Sequence, residues 1–182
     1  RDYVEKAYRN HLVSSDNAQG VLDTGDVKSG LEMFARRGQW QKVFEICRDE
    51  KPEVRGRYAY QNAVNLVDKG KPFDAIKVLA KHGASSNTKY LDFYKDLTVK
   101  ILSIDSKTEE KQGSELYGAL RTVLFDVLSG VRRRGDSSDG SSVKEFQRLL
   151  MTSHLCVLRL SAIATNQRSL AAKISISLLR EC

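Results

Sequence analysis

Proline is scarce in this chain of 182 residues, and its scarcity already limits the fold. Only two prolines occur, Pro52 and Pro72. Because β-sandwiches need frequent proline and glycine turns, so few prolines favour helices. Uninterrupted apolar runs of about 18 residues, the length that a bilayer crossing requires, are also missing. The composition therefore predicts a helical chain without a membrane span.

Motifs of catalysis and of metal binding are missing too. The chain has no G-x-S-x-G elbow, P-loop, H-E-x-x-H pair or C-x-x-C pair. The cysteines Cys47, Cys156 and Cys182 are widely spaced, and we interpret them as reduced core thiols of an intracellular protein. The histidines His11, His82 and His154 lack a second ligand at i+4, which favours capping or partly buried roles. We expect no enzymatic activity, no small-molecule substrate and no cofactor.

Apolar residues recur at helical spacing along nearly the whole chain, and period-two alternation is not evident. We predict about nine helices. Asp26 has the character of an N-cap, and Gly38 and Gly70 have that of helix ends. Residues 105–113 are polar and predict a loop, and residues 134–141 predict a mobile connection. After it, two helices are expected with a break near Asn166.

An internal repeat carries the fold prediction. The segment GQWQKVFEI at 38–46 is echoed by GKPFDAIKVL at 70–79. The glycines Gly38 and Gly70 lie 32 residues apart, and the aromatics Trp40 and Phe73 lie 33 apart. Tetratricopeptide repeats have a period of about 34 residues, and each unit is a helix hairpin that buries its apolar face against its neighbours. We expect Trp40 and Phe73 to be equivalent buried residues of adjacent repeats.

The repeat predicts an all-α chain that forms a right-handed α-solenoid of tetratricopeptide-like hairpins. The expected hairpins are residues 26–50, 52–82, 87–133 and 142–182, and residues 2–14 belong to a preceding repeat. All of them form a single solenoid segment, 1–182. Because the first residue is Arg1 rather than Met, we interpret the chain as a fragment of a longer protein.

Four segments resemble a known family in order and spacing. They are GQWQK at 38–42, AKHGA at 80–84, LYGALRTVLF at 116–125 and AAKISISLLR at 171–180. They resemble the C-terminal part of the tetratricopeptide-like solenoid in the intraflagellar transport protein 172 family. The third is similar to that family's W-a-d-L-R-d-V-L-F stretch.

The resemblance implies a structural role and a location. Members of that family are large peripheral subunits of intraflagellar transport complex B, in which β-propellers precede a long helical solenoid. Trains containing them carry cargo along ciliary microtubules, and the C-terminal region is implicated in linking complex B to complex A and in turnaround at the ciliary tip. The resemblance therefore implies an interaction scaffold in the cilium or flagellum, including the basal body, with a cytoplasmic pool and with subunits of complexes A and B as partners.

Charge is concentrated in the last third of the chain. The formal net charge is +7, and residues after 128 hold nine Lys and Arg against four Asp and Glu. We expect this part to meet an acidic protein surface, since complementary charge speeds encounter and fixes orientation. The partner-binding candidates, chosen as polar residues of first helices and of the basic cluster, are Arg57, Gln61, Asn65, Lys95, Arg132, Arg133, Arg134, Lys144 and Arg148. The alternative for the cluster is a plain solvated basic face.

The alternative function is RNA binding by a helical-repeat protein, because such proteins have a similar repeat period and a similar excess of basic residues. Such proteins repeat base-contacting side chains at fixed positions of each unit. The equivalent positions before Gly38 and Gly70 hold Arg37 and Lys69, which we interpret as exposed cations. We therefore expect no nucleic-acid partner.

Overall fold

Helices make up nearly all of the structure, a computed structural model that describes residues 2–103, 110–134 and 140–181. Within these ranges no residue lies in a strand, so the all-α prediction is confirmed. The α-helices are α1 (Asp2–Ser14), α2 (Ala18–Asp23), α3 (Val27–Arg36), α4 (Trp40–Ile46), α5 (Pro52–Asp68), α6 (Pro72–His82), α7 (Leu91–Leu102), α8 (Glu110–Arg134), α9 (Gly140–Ala164) and α10 (Arg168–Glu181). Short 3-10 turns occupy Cys47–Asp49 and Thr88–Tyr90. None of the described helices is long and apolar enough to cross a membrane.

The predicted helix ends are confirmed at the positions where a specific residue is required. Asp26 caps α3, since its carboxylate accepts a hydrogen bond from the Ser29 N–H at 3.1 Å. Gly38 and Gly70 end α3 and α5 with φ angles of 70° and 73°. Only glycine adopts such angles without steric cost, so these two residues stop the helices. Asn166, at the predicted break, also has a positive φ, of 57°.

Three local predictions differ from the structure. Helix α2 was not predicted, because six residues are too few to show a helical period; the Asn17 side chain caps it by accepting from the Gly20 N–H at 2.9 Å. Residues 110–113, predicted as loop, begin α8, and residues 140–141, predicted as connection, begin α9. The rest of these two predicted loops, 105–109 and 135–139, lies outside the described residues.

The expectation for the two repeat aromatics is wrong in its detail. Trp40 and Phe73 are only half-buried. Trp40 is the first residue of α4, whereas Phe73 is the second residue of α6, which accounts for offsets of 33 and 32 in the repeat. A full-burial cost of about 3–5 kcal/mol for Trp40→Ala is therefore too high, and about half of it is expected.

The chain divides into two compact units, residues 1–58 and 59–182. In the first unit a core joins α1, α2, α3 and α4 with the first half of α5. Its buried members are Leu12, Ala18, Val21, Leu31, Met33, Phe34, Val43, Cys47 and Tyr58. Trp40 and Phe44 pack against this core from its edge.

In the second unit α8 is the central helix. It packs against α6, α7 and α9, and α9 packs in turn against α10. The buried side chains of α8 are Leu116, Leu120, Val123, Leu124, Val127, Leu128 and Val131. They recur at the helical period, as the sequence pattern predicts. The predicted division into hairpins and the right-handed twist stay predictions.

Substitution of Gly70 tests the repeat register. No atom lies within 4 Å of the position that a Cβ would occupy at Gly70, so a side chain has space but a strained backbone. We expect Gly70→Val to lower the free energy of unfolding by about 1–3 kcal/mol and Gly70→Asn, which tolerates this conformation, by less. Thermal unfolding of both variants measures the difference. Equal stability of wild type and Gly70→Val would contradict the conformational argument.

Labelling of Cys47 tests the first core. Burial, more than the charge of Glu50, raises the pKa of this thiol from 9.0 to about 11. The folded state therefore favours the neutral thiol, so its contribution to stability is complete below pH 9 and is lost as the pH rises toward about 11. At pH 8 we expect iodoacetamide to modify Cys47 only as fast as the unit opens, measured by mass spectrometry. Modification of the folded chain at the rate of the denatured chain would contradict this expectation.

Candidate protein-binding groove

A groove with a volume of about 600 Å³ lies between α8 and α9. Helix α8 contributes residues spaced by helical turns, and α9 contributes a matching set. The lining residues are Arg121, Thr122, Phe125, Leu128, Arg132, Gln147, Leu150, Met151 and His154. We call this surface the α8–α9 groove.

The groove follows from the antiparallel packing of its two helices. At one end the Arg121 guanidinium lies 3.3 Å from Nδ1 of His154. Arg132 stands eleven residues further along α8, so the groove is about 16 Å long at 1.5 Å per residue. Because the helices run in opposite directions, Arg132 is level with residue 143 on α9. The groove therefore has a cation at each end.

The middle of the groove is apolar and open to solvent. Phe125 and Met151 are 60% and 50% exposed, and Leu128 is buried beneath them. An exposed phenylalanine beside an exposed methionine is typical of contact surfaces, since aromatic residues, methionine and arginine are enriched there. Methionine in particular adapts its shape to different partners. This surface can hold a small number of apolar side chains.

The lining residues include no carboxylate, and two acidic side chains of the two helices, Glu115 and Glu145, are paired with lysines. Glu115 of α8 pairs with Lys77 at 3.2 Å. Asp126 lies about 100° around α8 from Phe125. Burial raises the pKa of Asp126, and the charge of Arg133 opposes that rise. The groove is therefore electrostatically positive.

Glu145, the described acidic side chain of α9, is bound to Lys95 of α7 at 2.6 Å. Lys95 also lies 3.7 Å from Asp92 and sits over the ring of Phe146 at 5.8 Å. The hydrogen bond to Glu145 raises the pKa of Lys95. Burial is the second-largest effect and acts in the opposite direction. Lys95 thus ties α7 to α9, and its predicted role as a partner contact stays a prediction.

The structure brings one of the predicted basic residues to the groove. Arg132 lines it. Lys144 is exposed on α9 but is not among the lining residues. Arg133 is exposed, and its Nε donates to the Ser129 carbonyl at 3.3 Å. Arg148 is exposed on α9. The side chain of Arg134 lies outside the described residues.

The remaining predicted residues lie on α5. Arg57 binds Glu32 at 2.9 Å and lies over the Tyr58 ring at 5.2 Å, so it stabilises the first unit. Gln61 and Asn65 are half-buried one turn apart. Their binding role stays a prediction.

Sequence reasoning missed Arg121, Phe125, Met151 and His154. One signal was present, because Phe125 falls outside the apolar stripe that α8 buries and is flanked by Arg121 one turn earlier. His11 is exposed and lies in the last turn of α1, which is compatible with the predicted capping role but not with partial burial. His82 and His154 are half-buried, as predicted.

Cofactor and metal sites are not evident in the described ranges. No group of three His, Cys, Asp or Glu side chains there could hold a metal ion. Cys47 is buried and Cys156 half-buried, as expected of core thiols, and Cys182 lies outside the described residues.

The fold is that of an all-α helical-repeat protein, and the α8–α9 groove is its candidate binding surface. No model of a known protein family matches the chain. It is 26% identical over 180 residues to "Intraflagellar transport protein 172 homolog" of Danio rerio, 25% over 180 to that of Homo sapiens, and 24% over 181 to "Intraflagellar transport protein 172" of Chlamydomonas reinhardtii. Each match covers 98% of this chain and 10% of the relative.

The chain is therefore similar to intraflagellar transport protein 172 sequences along nearly its whole length, in agreement with the resemblance of its four sequence segments. It spans about a tenth of the length of these relatives, so it corresponds to a segment of them. Its position in their C-terminal part stays a prediction.

The Lys95–Glu145 pair provides a test of the support beneath the groove. We expect Lys95→Met and Glu145→Gln to lower the free energy of unfolding, and their double-mutant cycle to give a coupling of about 1 kcal/mol, because the pair is partly shielded from water. Urea unfolding of the four proteins measures this coupling. A coupling near zero would show that Lys95 is available to a partner.

Proposed function

We propose that this chain is a non-enzymatic protein-interaction segment of an intraflagellar transport subunit. The observation that carries the proposal is the match along 98% of the chain to relatives named for intraflagellar transport. A helical-repeat fold supports it, since stacked helices present extended surfaces for partners. The α8–α9 groove is the surface through which we expect the segment to bind.

The proposed setting is the cilium or flagellum, including the basal body, with a cytoplasmic pool. The parent subunit acts in complex B, and its partners are protein subunits of complexes B and A. These assignments rest on the family resemblance described for residues 38–42, 80–84, 116–125 and 171–180. Partner contact through the basic third of the chain is consistent with the positive groove.

The aromatic cluster around Tyr60 does not support RNA binding. Tyr60 stacks on Tyr90 with ring centroids 3.8 Å apart, and Phe93 and Tyr94 pack against Tyr60 edge-on at 5.1 and 6.3 Å. These rings cover one another, whereas a single-strand reader keeps aromatic faces open for bases. The cluster therefore serves packing.

Live imaging tests the proposed function. The gene that encodes the chain is tagged with a fluorescent protein in its source organism, and its product is followed in cilia or flagella. We expect processive movement along the axoneme in both directions and co-purification with other transport subunits. A tagged inert protein of similar size is the control, because it reports free diffusion. Diffuse fluorescence without directed movement would contradict the proposal.

Crosslinking provides the second arm of that test. Ultraviolet crosslinking of the tagged protein in the same cells is expected to recover no more RNA than the inert control. Recovery of abundant RNA, together with a steep salt dependence of RNA binding, would favour the helical-repeat RNA-binding function instead.

A further inference from the structure

We propose that the α8–α9 groove binds an acidic amphipathic helix of about three turns. The inference rests on the proposed protein-binding role and deepens it by naming the chemistry of the partner. It is carried by the groove's length, its exposed apolar middle and the cations at its two ends.

The length of the groove sets the length of its occupant. Arg121 and Arg132 are eleven residues apart on one helix, which corresponds to about 16 Å or three helical turns. A straight helix of about eleven residues laid along the seam spans the same distance. Three turns present apolar residues at i, i+4 and i+7 to one side, the usual pattern of a helix bound in a groove.

The apolar middle sets the face that the occupant must present. Phe125 and Met151 rise from the two helices over buried Leu128, and both remain exposed to water in the chain alone. Covering them with leucine, phenylalanine or methionine side chains removes apolar surface from water on both partners. A uniformly polar segment would leave this surface wet and gain little.

The charges set the sign of the occupant. The lining has Arg121 beside His154 at one end and Arg132 at the other, and it includes no carboxylate. Glu115 and Glu145 are already held by lysines, so they do not neutralise the groove. Aspartate and glutamate near both ends of a bound helix would therefore pair with arginine, whereas lysine there would be repelled.

A displayed peptide library tests both requirements on the purified full chain. It contains helical peptides of about 14 residues with the same apolar spacing, in equal parts acidic, basic and uncharged at the remaining positions. We expect selection to enrich the acidic peptides. Enrichment of basic or uncharged peptides, or no enrichment, would overturn the proposal.

Variants locate the binding of an enriched peptide. We expect Phe125→Ser with Met151→Ser to weaken its dissociation constant at least about tenfold at low and at high salt, because the apolar contacts are lost. Val99→Ser is the matched control, since Val99 is 55% exposed on α7. Arg121→Glu with Arg132→Glu should weaken binding mainly at low salt, whereas Lys100→Glu with Lys173→Glu, an equal charge change at exposed sites, should not.

Several outcomes contradict the proposal. Unchanged affinity in either groove variant would place the peptide elsewhere, and the charge variant decides if the serine variant fails to fold. Binding to vesicles of phosphatidylserine and phosphatidylcholine, with no acidic peptide selected, would make the groove a lipid-binding surface. Self-association that Phe125→Ser abolishes, again with no peptide selected, would make it a contact between copies. None of these results depends on cilia. Failure of the groove proposal can therefore be distinguished from failure of the proposed transport function, which the live-imaging test measures.

Discussion

Burial of helix α8 is the constraint on which the second unit depends. Its seven buried apolar side chains cover more of the helix circumference than one neighbour can protect, so α6 and α9 must lie on different sides. The packing is close: a Cβ at Gly130 would come within 2.3 Å of the Cβ of Ser86. With two sides covered, the line from Arg121 through Phe125 to Arg132 remains at the seam with α9. The groove is thus the uncovered remainder of a tightly packed helix.

Ion pairing explains why this remainder is positive. Two carboxylates on α8 and α9 serve as ties to neighbouring helices, Glu115 to Lys77 and Glu145 to Lys95. Arg121 and Arg132, the arginines of the groove, take part in neither of these two ion pairs. The composition shows only that the chain has a net positive charge. Folding places part of this charge at one surface, the α8–α9 groove. Charge at a surface acts on orientation and encounter more than on affinity.

The sequence predicts what depends on local chemistry. Asp26 and Gly38 mark helix ends because a cap needs a carboxylate and a left-handed end needs glycine, requirements that act within a few residues. The apolar stripe of α8 follows from its period. The pair between Lys95 and Glu145 was not predicted because the two residues lie 50 positions apart, and periodicity contains no information on such pairs. Similarly, the groove needs the register between α8 and α9, which only packing determines.

The order of contacts along the chain has a consequence for how the protein folds. In the second unit α8 packs against α9 and α9 against α10, helices that follow one another directly. Contacts between sequence neighbours require little loop-closure entropy, so chains of this kind fold quickly and from several starting points. Helix pairs can therefore assemble while the polypeptide is still being synthesised, each completed helix serving as the template for the next. In a long helical-repeat chain, such stepwise assembly limits the time for which apolar faces such as that of α8 stay exposed to aggregation.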